Sequence, residues 1–91
     1  MNRDQPQSTA ELQETPDWRQ SADTIIRNWE FPDFADAMVF VNRVAELAQA
    51  ANHHPDIDIR YNKVTLRLST HSAGGVTKRD VELAEAVDRL V

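Results

Sequence analysis

The chain has 91 residues, 41% of them hydrophobic, with 10 Lys and Arg against 15 Asp and Glu for a formal charge of −5. Residues 1–50 hold four basic and nine acidic side chains and residues 51–91 six of each, so no cationic cluster awaits a phosphate backbone, and direct nucleic-acid binding is disfavoured. Cysteine is absent and the longest apolar run is Ala37 to Val41; thiolate chemistry and disulfides are excluded, no membrane segment is expected, and the reading is a cytoplasmic globular protein.

Residues 1–16 are polar, carry two prolines and show no sustained period, which reads as a flexible leader before a single domain over 17–91. From Trp18 the pattern becomes strand-like: Ile25, Trp29 and Phe31 fall on one parity and Ile26, Asn28 and Glu30 on the other. With Trp18 to Gln20 before it and Ser21-Ala22-Asp23 as the turn, this predicts a first hairpin. Asp33 is placed to cap a helix, since its carboxylate can accept from the free N–H groups of the next turn. Phe34, Met38, Val41, Ala45 and Ala48 recur at helical spacing, and Ala37, Val44 and Leu47 widen that stripe, with the helix ending near Asn52.

A second hairpin is predicted around a two-residue turn at Asn62-Lys63. It pairs Tyr61 with Val64, Ile59 with Leu66 and Ile57 with Leu68 on one face, and sets Asp58 opposite Arg67 and Arg60 opposite Thr65 on the other. Gly74-Gly75 breaks the chain, and Thr77 caps a final helix with apolar positions Val81, Ala84, Val87 and Val91. The order β-β-α-β-β-α predicts an α+β two-layer sandwich: a four-stranded antiparallel sheet with its helices packed on one face. A domain this small buries only about 60 to 65% of its unfolded surface. Together with the wide apolar stripe of the first helix, that predicts a homodimer or homotetramer.

All three histidines, His53, His54 and His71, lie within residues 53–71. The first two end the predicted helix beside Pro55, and His71 ends the strand that folds back toward them, so the three can converge. Imidazole titrates near neutrality, and several around one cleft suit proton transfer. Two other readings stand beside this one. His53 can be a helix-terminal cation favoured by the macrodipole, or the three can form a zinc site of the open catalytic kind. Asp80 reads as the far member of a capping box with Thr77. Trp18 and Trp29 read as packing residues, and Gly74-Gly75 as a turn with no phosphate-loop character.

The string His53-His54-Pro55, Tyr61, Ser69-Thr70-His71, Gly75-Val76-Thr77 and Asp80 resembles the pterin-4a-carbinolamine dehydratases. Phe31-Pro32-Asp33-Phe34 followed by Ala37 to Val41 is similar to that family's entry from strand to helix, so the likeness covers about residues 18 to 90. The resemblance implies a dehydratase that removes water from a 4a-hydroxytetrahydropterin to give the quinonoid dihydropterin, in tetrahydropterin recycling. It implies His53, His54 and His71 as catalytic residues, with His53 and His71 as acid and base. It further implies His54, Pro55, Asp80 and Gln49 around the pterin substrate, with neither metal nor cofactor. Gln49 departs from the family, which usually has glutamate four residues before the first histidine; the amide keeps hydrogen bonding and loses the charge. The resemblance also implies an alternative, since relatives of this fold serve without catalysis as a transcription-factor dimerisation cofactor or a Rubisco assembly factor, each a protein partner's binding module.

Overall fold

Two hairpins supply the sheet of the computed structural model, which describes residues 17–91. β1 (Arg19–Ser21) and β2 (Thr24–Glu30) turn at Ala22-Asp23, with Ala22 in the left-handed region at φ 56. β3 (Asp56–Arg60) and β4 (Lys63–Leu68) form the second hairpin. The strand order is β1-β2-β4-β3, with every neighbouring pair antiparallel. β4 is therefore interior, and its alternate residues Val64, Leu66 and Leu68 are fully buried, as the period of two requires of a strand covered on one face.

The second hairpin departs from the expected register. Ile59 lies opposite Val64, Ile57 opposite Leu66, Asp58 opposite Thr65 and Asp56 opposite Arg67, so the two-residue turn is Tyr61-Asn62. Asn62 is held by β2: its Nδ2 donates to the Phe31 carbonyl at 2.7 Å, and its own carbonyl accepts from the Phe31 amide at 2.9 Å. With Asn62 tied down, Tyr61 takes the left-handed position at φ 54. A shift of two residues leaves every side chain on its predicted face. Arg60 now faces Lys63, and its guanidinium turns to Asp58 at 3.5 Å.

α1 (Phe34–Ala51) begins as expected: Asp33 Oδ1 accepts from the Asp36 amide at 2.8 Å. Its buried residues are Ala37, Phe40, Val41, Val44 and Ala48. The covered stripe is rotated from the predicted one, leaving Phe34 and Ala45 exposed. Phe34 sits in the first turn and stacks on Tyr61 of the second hairpin, ring centroids 6.5 Å apart. The helix stops at Asn52, left-handed at φ 52, whose amide donates to the Ala48 and Gln49 carbonyls.

α2 (Lys78–Asp88) buries Val81, Leu83, Ala84 and Val87 against the same core. Val91 lies past its end and is exposed, so the predicted stripe runs one position too far. Asp88 in the last turn joins this helix to the first hairpin. Its Oδ1 accepts from Trp18 Nε1 at 2.9 Å and from an Arg27 guanidinium nitrogen at 2.6 Å. Trp18 and Trp29 are both buried and meet edge to face at 5.6 Å, the packing role expected of them. Both helices thus lie on one face of the sheet, the predicted α+β layering. Among the described residues no helix is long and apolar enough to cross a membrane. The segment read as a leader lies outside the described residues.

Candidate active site

The left-handed turn at Asn52 separates two adjacent imidazoles. After Asn52 closes α1, the His53 amide returns to the Ala48 carbonyl at 3.1 Å, and this directs the His53 ring inward, where the residue is only 8% exposed. Its Nε2 lies 2.5 Å from Asp80 Oδ1. His54 projects outward instead, with Nε2 2.6 Å from Gln49 Oε1. Gln49 precedes His53 by four residues, about one helical turn, but the left-handed residue between them breaks that period, and His54 takes the contact.

Asp80 has no exposed surface and stands in the first turn of α2. Its Oδ2 accepts from the Thr77 amide at 2.8 Å, the reach-back of a capping box, and from the Thr70 hydroxyl at 2.8 Å. Two donors and the His53 ring nitrogen converge on its two oxygens, an arrangement that suits a carboxylate, which can only accept. Asp80, expected around the substrate, is fully buried and meets His53 directly.

The other ring nitrogen of His53 stands differently. Among the described residues, Trp29 Nε1 is the one buried side-chain nitrogen or oxygen without a partner, and no hydrogen bond engages His53 Nδ1. That nitrogen therefore reaches accessible space. His53 lines two clefts, and the one of about 340 Å³ also has His54, His71, Ser69, Thr70 and Arg79 in its walls, so the three histidines do converge.

His71 arrives there by a route that differs from the expected one. β4 ends at Leu68, and His71 opens a short 3₁₀ turn, His71–Ala73. Gly74 at φ 72 closes that turn, and Thr70 and Gly75 then pair across it, Thr70 N–H to Gly75 carbonyl at 2.9 Å. His71 is exposed, while Thr70 is buried. Pro55 is half-buried and Gln49 exposed; neither lines the cleft, and Gln49 meets it only through His54.

Two residues of the site were given no role by sequence reasoning. Thr70 continues the parity of Val64, Leu66 and Leu68, and a polar residue on the apolar parity of an interior strand is the signal that marks it. Arg79 lies in the first turn of α2, where a cation opposes the helix dipole. Its guanidinium donates to the Asn52 carbonyl at 2.7 Å, tying α2 to the turn that orients the histidine pair. Among the described residues no three or more His, Asp and Glu side chains are grouped to hold a metal ion. His53 and His54 already direct Nε2 to Asp80 and Gln49.

Comparison with known proteins places the chain in a family. The family model described as pterin 4 alpha carbinolamine dehydratase matches residues 2–90. The chain belongs to that family. It is 56% identical over 79 residues to a protein of Thermomicrobium roseum, covering 87% of this chain and 85% of that one. It is 55% identical over 80 residues to one of Acidobacterium capsulatum, covering 88% and 87%. Both relatives are named, provisionally, as pterin-4-alpha-carbinolamine dehydratases.

Among solved structures, the transcriptional coactivator/pterin dehydratase of Brucella melitensis superimposes with a TM-score of 0.84 at 29% identity, covering 94% of this chain and 98% of that one. A pterin dehydratase-like protein described as a RuBisCO assembly factor of the α-carboxysome shares the fold, with a TM-score of 0.66 at 20% identity over 80% and 84% of the two chains.

Proposed function

We propose that this member is an active dehydratase that eliminates water from a 4a-hydroxytetrahydropterin, in the cytoplasm and in the service of tetrahydropterin recycling. The observation that carries the reading is His53, with Nε2 held on the buried Asp80 carboxylate, in the wall of a cleft shared with His54 and His71. In the elimination the C4a–O bond breaks, and the leaving hydroxyl takes a proton and departs as water. The adjacent ring N–H gives up its proton as the C=N bond forms. One proton is delivered and one removed, so a pair of imidazoles near neutrality can serve both ends without a metal or cofactor. His53 and His71 hold these two roles.

His54, paired with the neutral amide of Gln49, is the weaker proton carrier of the adjacent pair. It binds and orients the pterin instead. The test is the disappearance of freshly generated 4a-hydroxytetrahydropterin, followed with and without the protein. Acceleration well above the spontaneous rate is expected, and a rate equal to the spontaneous one contradicts the proposal.

A second reading, a protein-binding module, is favoured by one observation: an exposed apolar strip on which Phe34 stacks with Tyr61 beside half-exposed Ile57 and Ile59. A strip of this kind marks an interaction surface. We assign it to self-association as a homodimer or homotetramer, which also fits the small core. Light scattering at micromolar concentration should give a multiple of 10.4 kDa; a monomer counts against it.

A further inference from the structure

Thr70 lies two residues past β4 on the buried parity of that strand, and its hydroxyl stands 2.8 Å from Asp80 Oδ2 and 2.8 Å from Thr77 Oγ1. A hydroxyl has one proton to give. Because the carboxylate only accepts, Thr70 donates to it and accepts from Thr77. The Thr77 amide supplies the second donor to Oδ2 at 2.8 Å. Oδ2 is then occupied, and Oδ1 is left to His53 Nε2 at 2.5 Å.

The nitrogen that faces a carboxylate must carry the proton, so neutral His53 keeps its lone pair on Nδ1, which no hydrogen bond among the described residues engages. We infer that Thr70 is a positioning residue. Through Asp80 it fixes His53 as the Nε2–H tautomer and so makes Nδ1 the atom that exchanges a proton with the substrate. The catalytic half of this inference rests on the dehydratase reading; the tautomer does not. Without the Thr70 hydroxyl, Oδ2 loses one of its two donors, the carboxylate is free to turn, and neither the orientation nor the tautomer of His53 is determined.

The experiment uses the full chain labelled with ¹⁵N-histidine. Long-range ¹H–¹⁵N correlations, recorded at alkaline pH where the imidazoles are neutral, report which ring nitrogen is protonated. Wild-type His53 is expected as Nε2–H. Thr70→Val, which keeps the shape and removes the hydroxyl, should give a mixture of tautomers and lower kcat by about tenfold with KM changed less than about twofold. Thr70→Ser should restore both the tautomer and kcat, which a purely packing role for the threonine does not predict. Thr70→Ala serves the same comparison if the valine variant does not fold.

Protonation of wild-type His53 on Nδ1 overturns the inference. So does a Thr70→Val or Thr70→Ala protein that keeps both the wild-type tautomer and the wild-type kcat. Because the tautomer is read in the resting protein, its result is separable from the functional reading, which fails on its own if wild-type protein shows no turnover.

Discussion

His53 and His54 are neighbours in the chain and opposites in environment. His53 is buried and faces a carboxylate that has no surface of its own; His54 is exposed and faces a neutral amide. The same side chain acquires two chemistries because one left-handed residue, Asn52, turns the first ring inward and lets the second ring face outward. A carboxylate at Nε2 supports the imidazolium that forms when His53 takes a proton, whereas an amide offers direction without charge. Under the proposed function that contrast becomes a division of labour, and each prediction below either widens or removes the difference between the two rings.

The largest effects are expected at the two proposed proton carriers. His53→Ala and His71→Ala should each lower turnover by about 10²- to 10⁴-fold, the range of a general acid or base. The two variants should separate on stability. His71 is exposed, and its removal should leave thermal unfolding unchanged. Removing His53 strips a buried carboxylate oxygen of its partner, which costs about 2 kcal/mol and should lower the unfolding midpoint by on the order of 10 °C in a domain this size. Equal unfolding midpoints for the two variants would show that the Asp80 contact contributes nothing to the fold.

Next comes Asp80→Asn, which keeps the shape and removes the charge. Turnover should fall by about 10²-fold, because the amide no longer supports an imidazolium; unchanged turnover would place His53 outside the proton path. His54→Ala is milder and of another kind: KM should rise by about tenfold while kcat stays within about threefold, as expected of a group that binds substrate and transition state alike.

The smallest effect is Gln49→Glu, which gives His54 the charged neighbour it lacks. An anion beside an imidazole favours its protonated form, so the pH profile of kcat/KM should move toward higher pH through substrate binding, with kcat changed less than about threefold. A superimposable profile would mean that charge at residue 49 has no bearing on the cleft.

The sequence made the layered fold legible because its local signals agree. Asp33 caps where its carboxylate should, the parity of Ile25 and Trp29 marks the face of β2 that is buried, and Val64, Leu66 and Leu68 do the same for β4. The register of the second hairpin was not legible, since it is fixed from outside by Phe31, whose backbone captures Asn62 from 31 residues away. The rotation of the α1 stripe was not legible either. That rotation leaves Phe34 on Tyr61 and not in the core.

At the site, the convergence of three histidines was readable from their clustering, and the capping role of Asp80 from its distance to Thr77. That the same carboxylate also grips His53, and that Gln49 meets His54, were not. Both depend on the turn at Asn52, and helical spacing carries no information past a left-handed residue. Thr70 was readable in principle: a polar residue in the buried series Val64, Leu66, Leu68 must find a hydrogen-bond partner inside.

The division of labour between the paired imidazoles is tested most directly by single-turnover dehydration, with protein in excess over 4a-hydroxytetrahydropterin and at concentrations that saturate each variant. Under these conditions weakened binding drops out and proton transfer remains. The His54→Ala protein should then dehydrate bound substrate within about threefold of the wild-type rate, while the His53→Ala protein remains slower by about 10²-fold or more. A His54→Ala protein as slow as His53→Ala, or a His53→Ala protein as fast as wild type, would contradict the account.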